Sequence, residues 1–439
     1  NYKCGQEATL RMINALIAYS VFKDYELVTK EDEVNLMQLI EGSYKKVLSN
    51  FFYAHKCIKN NHTLSEITGL IIGAWCSEDN AALKRAYQLM DQEIEKQFMK
   101  DGGYIQYSFN YQRFALQIME FVLKISGITG IELSDQSKAL IEKSVLLMYQ
   151  LQDETGDVPN YGSNDGALIF PVTTSNYRDF RPVLNTVYAV LKGKRLYNPG
   201  SYDEEMLWFS DINIENIPHA NIQRQSVGYN DSGFYSLRHD KGHLMLVLQE
   251  FRKRPAQMDQ MHIDLWHKGV NVLCDSGTYS YATDLGKQLS ITAAHNTVKI
   301  DNKEQMKKHG PFLVYDWSSA HDVECNESHF KGTMKSKNGY SHTRVINKDS
   351  AGYSIEDHVV GDVENYKILL HTPCEVEKSE RGLDLLFDNK LIAKIITNDE
   401  VQIRESYRSL YYLKKDKIIQ ISIEARAKNK SIFRIVLAR

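Results

Sequence analysis

Cysteine is scarce in this chain, and its spacing excludes two kinds of scaffold. The 439 residues include six cysteines and no Cys-x-x-Cys pair. A zinc ribbon needs such pairs and a disulfide framework needs a denser set, so neither is expected. We instead predict buried thiols at Cys4, Cys57, Cys76, Cys274, Cys325 and Cys374.

Long apolar runs and an excess of positive charge are also missing. No segment approaches the roughly 18 apolar residues of a membrane-spanning helix, so no membrane span is expected. The 53 basic residues are outnumbered by 56 acidic ones. This balance excludes the broad cationic surface that nucleic acid would need as a partner. An anionic polymer would have to be held by local positive charge.

The start of the chain lacks a charged segment followed by an apolar secretion signal. The first residue is Asn1 instead of methionine. We therefore suspect that upstream sequence, an export signal included, is missing, and we expect a periplasmic or secreted protein. The sequence leaves the oligomeric state open.

The length of the chain exceeds that of a typical single core, which predicts two domains. Up to about residue 200, apolar residues recur at helical spacing, as Leu64, Ile67 and Ile71 do. After about residue 225, short alternating segments separated by Gly, Asn and Asp predict antiparallel sheets in a β-sandwich. We therefore predict a helical domain over residues 1–205 and a β-sandwich domain over residues 206–439.

Polar residues precede two of the predicted helices. Asn61 and His62 come just before an apolar helical pattern in which Thr63 and Glu66 have the spacing of a capping box. Tyr111 lies at the start of the next strongly amphipathic helix. Free N–H groups and the helix dipole favour bound anions at such positions.

Three short segments of the second half carry histidine and aspartate. His262 and Asp264 are two residues apart, which places both on one face of a strand. Asp275 precedes Ser-Gly-Thr-Tyr, and His295 lies in Ala-His-Asn-Thr-Val. Such residues, brought together by β-segments, are typical of a divalent metal site. A buried His/Asp hydrogen-bond network without metal would use the same residues.

Taken together, these motifs resemble those of the heparinase II/III-like polysaccharide lyases, in the same order along the chain. That family has the three β-segments just described. It also has an Asn-His loop followed, about fifty residues later, by a Tyr in a Ser-x-x-Tyr-x-Arg setting; here the spacing is 111 − 61 = 50. The resemblance implies an α/α toroid, incomplete in this chain, followed by an antiparallel β-sandwich.

The resemblance further implies cleavage of an anionic, uronic acid-containing polysaccharide by β-elimination. In this reaction the C5 proton is removed and the C4 oxygen is protonated, after the carboxylate has been neutralised. Asn61 would neutralise the carboxylate, His62 would act as base, and Tyr111 would donate the proton and could also act as base. A phenol, with an ordinary pKa near 10, needs a neighbour such as Arg113 to act as a base.

Two further sets of residues follow from the resemblance. Gln260, two residues before His262, stands where many family members have a histidine that reaches the active site. This difference weakens the case for a catalytic histidine on the predicted strand that contains His262. The substrate-binding candidates are Tyr107, Arg113, Asn164, Asp165 and Gln260. For Tyr107, stacking on a sugar ring and packing in the core both remain open. The implied metal ligands suit a structural zinc ion. They are His262, Asp275 and His295.

Two other functions remain open at this point. Helical toroids also host glycoside hydrolases that use paired carboxylates, for which Asp165, Glu66 and Asp101 would be candidates. A catalytically silent protein that binds an exopolysaccharide is the second alternative. The particular uronate polymer cannot be chosen from the sequence.

Overall fold

The computed structural model describes residues 4–427 and 429–438. In the first half of the chain, neighbouring helices pack against each other around an apolar core. The helices are α1 (Gly5–Asp24), α2 (Lys30–Tyr53), α3 (Asn61–Cys76), α4 (Asn80–Gln97), α5 (Phe109–Thr129), α6 (Asp135–Leu151), α7 (Arg181–Lys192) and α8 (Glu204–Phe209).

Polar caps set the two helix starts that matter for function. The Ser108 side chain accepts a hydrogen bond from the Tyr111 amide and begins α5. The Asn60 side chain caps α3 in the same way by accepting from the His62 amide. Asn61 and His62 are therefore the first residues of α3, and the prediction that they lie in the preceding loop was wrong. The predicted capping box is absent because Asn60 already caps the helix, and Thr63 donates to the Ala54 carbonyl instead.

The second half consists mainly of antiparallel strands, and a short α-helix, α9 (Asp284–Gln288), lies between β5 and β6. The strands are β1 (Val227–Tyr229), β2 (Phe234–His239), β3 (Gly242–Val247), β4 (Ile263–His267), β5 (Val270–Leu273), β6 (Val298–Lys299), β7 (Lys307–His309), β8 (Leu313–Tyr315), β9 (Ser319–Cys325), β10 (His329–Ser336), β11 (Tyr340–Asp349), β12 (Gly352–Gly361), β13 (Asn365–Thr372), β14 (Glu375–Ser379), β15 (Gly382–Phe387), β16 (Lys390–Thr397), β17 (Val401–Arg408), β18 (Asp416–Arg426) and β19 (Lys430–Leu437).

The strands form layers around a second apolar core. An eight-stranded sheet has the order β14-β15-β16-β19-β12-β11-β10-β9. A five-stranded sheet, β1 to β5, and a four-stranded sheet, β17-β18-β13-β6, contribute to the same core, while β7 and β8 form a separate hairpin. Leu244, Ile355 and Ile421 come from three different sheets and belong to this core. The predicted order, a helical half followed by antiparallel sheets, is confirmed.

The five-stranded sheet joins the two halves, because its side chains alternate between two cores. Phe234 and Met245 pack into the helical core, whereas Tyr235 and Leu244 pack into the β core. Along a strand, successive side chains point to opposite faces, so one sheet serves both cores. The predicted division after residue 205 falls inside α8, and the first strand begins at Val227.

The cysteines depart from their predicted burial. All six are free thiols, but only Cys274 and Cys374 are buried. Cys57 is exposed, and Cys4, Cys76 and Cys325 are half-buried. Among the described residues, no helix has the length and apolar character needed to cross a membrane.

Candidate active site

A cleft of about 590 Å³ lies where the helices meet the β half. Its helical wall includes Asn61 and His62 at the start of α3 and Tyr111 in the first turn of α5. Its opposite wall includes Arg254 and Tyr281 from loops of the β half. The three residues predicted to be catalytic therefore line one cavity.

Two glutamines that the sequence did not single out hold Asn61. The side-chain Nδ2 of Asn61 donates to Gln6 Oε1 at 2.9 Å. The backbone N–H of Asn61 donates to Gln106 Oε1 at 3.0 Å. Because an amide nitrogen carries two protons, the bond to Gln6 leaves one N–H of Asn61 to donate to a ligand.

The imidazole of His62 lies half-buried at the same end of the cleft. Its Nδ1 is 3.4 Å from Cys4 Sγ, and its backbone is held by the Asn60 cap. Burial lowers the pKa of His62, and the nearby carboxylates of Glu7 and Asp165 oppose this effect. The neutral form, which has one nitrogen free to accept a proton, is therefore favoured.

Tyr111 is part of a chain of hydrogen bonds across the cleft. Its hydroxyl donates to Asp165 Oδ2 at 2.9 Å and lies 3.1 Å from the Tyr281 hydroxyl. A phenol has one proton, so Tyr281 must be the donor in the second contact. Burial, together with Tyr281 and Asp165, raises the pKa of Tyr111 well above its usual range. Tyr111 thus keeps its proton at neutral pH.

Arg254 brings positive charge to the β wall of the cleft. Its guanidinium lies 5.5 Å from the ring centroid of Phe312, which in turn packs edge-on against Tyr281. Burial lowers the pKa of Arg254, and the Tyr111 and Tyr281 phenols oppose this effect. Arg254 thus lines the same cleft as Tyr111 and interacts electrostatically with its phenol, a role that the sequence suggested for Arg113. No sequence signal distinguished Arg254 from the neighbouring charged residues.

Tyr107 and Arg113, two of the predicted substrate-binding residues, lie behind the cleft wall. The Tyr107 ring is buried, and its hydroxyl accepts hydrogen bonds from the backbone amides of Arg252 and Lys253. The Arg113 guanidinium is buried against the ring of Tyr177 and donates to Asn110 Oδ1. Tyr107 therefore holds the loop that carries Arg254, and Arg113 braces the first turn of α5.

Of the remaining predicted substrate-binding residues, one lies in the cleft and the others are buried. Asp165 lines the cleft beside Tyr111. Asn164 is buried, and its Oδ1 accepts from Gly166 N–H and from the Tyr177 hydroxyl.

Gln260 is fully buried, and its Oε1 accepts a hydrogen bond from the backbone N–H of Gln249. The prediction that Gln260 and His262 lie on one strand with Asp264 was wrong, because both residues precede that strand. Strand β4 begins at Ile263, and Met261 has a left-handed backbone (φ 62°) that breaks the alternation.

A possible metal-binding group lies deeper in the β half. Ligand atoms of His262, Asp275 and His295 are all within 4.8 Å of one another, and all three residues are buried. His295 Nδ1 is 2.8 Å from Asp275 Oδ2, and His262 Nε2 is 3.7 Å from the same oxygen. His262 Nε2 is a buried atom without a hydrogen-bond partner among the described residues. Two imidazoles and a carboxylate fit a divalent cation such as zinc.

The segment after Asp275 connects this group to the cleft. Gly277 has a φ of 76°, and a Cβ there would lie 2.2 Å from the Ser409 carbonyl oxygen, so glycine is required. The Thr278 hydroxyl then accepts a hydrogen bond from the backbone N–H of Asn164 at 2.9 Å. Three residues later, Tyr281 reaches Tyr111. The placement of Asp275 is thus transmitted to both the Asp165 loop and Tyr281.

Comparison with known proteins agrees with these motifs. The model of the "Heparinase II/III N-terminus" matches residues 5–183, and that of "Heparinase II/III-like, C-terminal" matches residues 221–436. A heparin-sulfate lyase from Bacteroides stercoris is 25% identical over 261 residues, which are 56% of this chain and 36% of that protein.

Solved structures share the fold. A heparinase III superposes with a TM-score of 0.73 and 18% identity, over 98% of this chain and 66% of that one. A heparan sulfate lyase mutant from Pedobacter heparinus superposes with a TM-score of 0.70 and 16% identity, over 99% of this chain and 68% of that one. The chain thus spans about a third of the curated relative and two thirds of these structures. Since the two family models together match nearly its whole length in the expected order, the chain belongs to the heparinase II/III-like family.

Proposed function

We propose that this protein is a lyase that cleaves a uronic acid-containing glycosaminoglycan by β-elimination. The observation that carries the proposal is the shared cleft of Asn61, His62 and Tyr111, with Arg254 on the facing wall. An amide donor and a guanidinium can stabilise the charge on the substrate carboxylate, a neutral imidazole can accept the C5 proton, and a protonated phenol can donate a proton. The names of the related lyases point to heparan-type polymers as the first substrates to test.

In the proposed reaction, Asn61 donates its free N–H to the substrate carboxylate. This hydrogen bond stabilises the negative charge that develops when the proton leaves C5. His62 accepts that proton, the C–H electrons form the C4–C5 double bond, and the bond from C4 to the glycosidic oxygen breaks. Tyr111 donates its proton to the departing oxygen.

Arg254 has a second role in this scheme, in addition to binding the polymer. Its positive charge offsets the negative charge of the substrate carboxylate. It also stabilises the Tyr111 phenolate that forms when the proton is donated. Tyr281 supports the same phenolate because it donates a hydrogen bond to the Tyr111 oxygen. Asp165 instead favours the protonated phenol before the reaction.

The buried members of the predicted substrate set act indirectly in this proposal. Tyr107 holds the loop of Arg254 through two backbone amides, Arg113 and Asn164 hold the surroundings of Asp165, and Gln260 stabilises the β core.

Hydrolysis is disfavoured by the distribution of carboxylates. A glycoside hydrolase needs two carboxyl groups on either side of the bond, roughly 5–10 Å apart. Among the described residues that line the cleft, Asp165 is the one carboxylate. Glu66 is buried, and Asp101 is occupied by the backbone amides of Asp231 and Ser232.

The His262, Asp275 and His295 group is proposed to hold a structural zinc ion. A bound cation would compensate the buried charge of Asp275 and fix the segment that leads to Tyr281. In this role the metal supplies folding free energy and leaves the proton transfers to the cleft residues. A periplasmic or secreted location is part of the proposal, because large anionic polymers do not diffuse across membranes.

The test is a screen of purified protein against heparan sulfate, heparin, chondroitin sulfate, hyaluronan and alginate. The expected product contains an unsaturated uronate and absorbs in the ultraviolet. A protein that cleaves none of these polymers, while a control lyase does, contradicts the proposal. Tight binding without turnover would favour the polysaccharide-binding alternative.

A further inference from the structure

A second group of potential metal ligands lies beside the cleft, separate from the His262 group. Cys4, His62 and Glu66 each offer one ligand atom, and all three atoms lie within 4.8 Å of one another. Cys4 precedes α1, whereas His62 and Glu66 are one helical turn apart on α3. The group thus joins the first and third helices at the end of the cleft where His62 lies.

The spacing of two of these ligands suits zinc. Cys4 Sγ and His62 Nδ1 are 3.4 Å apart. In a tetrahedral site with Zn–S of about 2.3 Å and Zn–N of about 2.0–2.1 Å, the two ligand atoms are roughly 3.5 Å apart. A zinc ion therefore fits between them with little movement of either side chain.

Glu66 provides a second, independent indication of a ligand. Its side chain is only 2% exposed, and Oε2 has no hydrogen-bond partner among the described residues. A carboxylate in such a place is costly to bury unless a cation or proton compensates it. Burial raises the pKa of Glu66 to about 7, although Lys46 opposes the effect.

The backbone makes room for this carboxylate. A Cβ on Gly5 would lie 2.4 Å from Glu66 Cδ, so the carboxylate occupies space that only glycine leaves open.

From these contacts we infer that Cys4 Sγ, His62 Nδ1 and the Glu66 carboxylate bind zinc, with a fourth position open to water or ligand. A mixed set of thiolate, imidazole and carboxylate selects zinc over magnesium or calcium, which prefer oxygen ligands alone.

Occupation of this site has a consequence for His62. When a metal binds Nδ1 of a neutral imidazole, the proton stays on Nε2, and the ring can no longer accept another. Bound zinc therefore inhibits the elimination. This consequence rests on the proposed function, whereas the metal site itself does not.

Cobalt titration of the fully reduced 439-residue chain tests the site. Cobalt bound by a thiolate gives a ligand-to-metal charge-transfer band, and the His262 group, which has no thiol, cannot produce one. The band is expected in the wild type, and zinc should displace it. Cys4→Ser should abolish it, and Glu66→Gln should weaken cobalt binding by about tenfold or more.

Cys57 provides the matched control. It is an exposed thiol that lines the same cleft but lies outside the group. Cys57→Ser should keep the band. The metal site is refuted if the wild type gives no band, if the band survives Cys4→Ser, or if Cys57→Ser removes it.

Turnover separates the two proposals. Zinc should inhibit the wild type and inhibit Cys4→Ser much less, with each variant compared with its own zinc-free rate. If the cobalt band is present but zinc leaves turnover unchanged, the metal site stands and His62 is not the base.

Discussion

The Tyr111 hydroxyl on α5 donates a 2.9 Å hydrogen bond to Asp165 Oδ2 on the loop after α6. Burial and this carboxylate keep the phenol protonated, as a proton donor must be before it acts. Tyr281, from the β half, donates to the same phenol oxygen. The proton donor is therefore assembled from both halves of the chain.

Replacement of Tyr111 by phenylalanine should abolish most turnover and leave binding nearly intact. The change removes the donated proton but keeps the ring, so a loss of about 10²–10⁴-fold in kcat is expected. Product absorbance measures the rate, and thermal unfolding checks the fold. Tyr25→Phe, which alters an exposed phenol between α1 and α2, is the control. A Tyr111→Phe enzyme with wild-type kcat would remove Tyr111 from the chemistry.

Arg254→Ala should lower both the affinity for the polymer and kcat, since Arg254 is close to both the phenol and the cleft. Arg252→Ala is the matched change in the same loop, because the Arg252 guanidinium pairs with Asp231 at 2.5 Å. Steady-state kinetics at several salt concentrations should show a weaker salt dependence of KM for Arg254→Ala, since a contact between opposite charges has been lost. Equal effects of the two substitutions would argue against a specific role for Arg254.

The structural metal is best tested in a Cys4→Ser background, which removes the thiol-containing group. Elemental analysis should find about one equivalent of zinc, and His295→Ala should reduce this to below about a tenth. Thermal unfolding of His295→Ala should begin at a lower temperature, because metal binding contributes folding free energy. A metal-free chain with unchanged stability would favour the hydrogen-bond network.

Two buried carboxylates on α5 and α8 predict a pH-dependent stability. Burial raises the pKa of both Glu120 and Glu205; the pairing raises that of Glu120 further, while Glu120, Gln117 and Arg113 partly offset the rise for Glu205.

The folded state therefore holds protons that the unfolded state loses above about pH 4.3, and the contribution of this pair to stability should fall as the pH rises from there through neutrality. Glu120→Gln should flatten this slope in urea unfolding followed at several pH values. The exposed substitution Glu26→Gln should keep the slope. An unchanged slope in Glu120→Gln would contradict the assignment.

The sequence predicted the fold well because the apolar periodicity changes from helical to alternating near residue 225. The resemblance to the lyase family also indicated Asn61, His62 and Tyr111, since these residues belong to motifs whose order and spacing match that family. The sequence did not indicate Tyr281 or Gln6, because their partners lie far away along the chain. Tyr281 contacts Tyr111, 170 residues away, and Gln6 contacts Asn61, 55 residues away, so neither contact leaves a local pattern.

Backbone conformation explains two other departures from the sequence analysis. The left-handed conformation of Met261 (φ 62°) removes Gln260 from strand β4. The left-handed conformation of Tyr107 (φ 50°) accompanies its buried position behind the Arg254 loop. A left-handed backbone is usually predicted from a glycine, and neither residue is one, so the sequence did not predict these conformations.

The most direct test of the central claim is digestion of a heparan sulfate oligosaccharide in heavy-oxygen water, followed by mass spectrometry. Elimination breaks the chain without adding water, so the products should take up no heavy oxygen beyond the slow exchange at reducing ends seen without enzyme. One of the two products should carry an unsaturated end. Asn61→Ala and Tyr111→Phe should form these products far more slowly than the wild type. Incorporation of heavy oxygen at the cleaved bond, with no unsaturated end, would show hydrolysis and contradict the account.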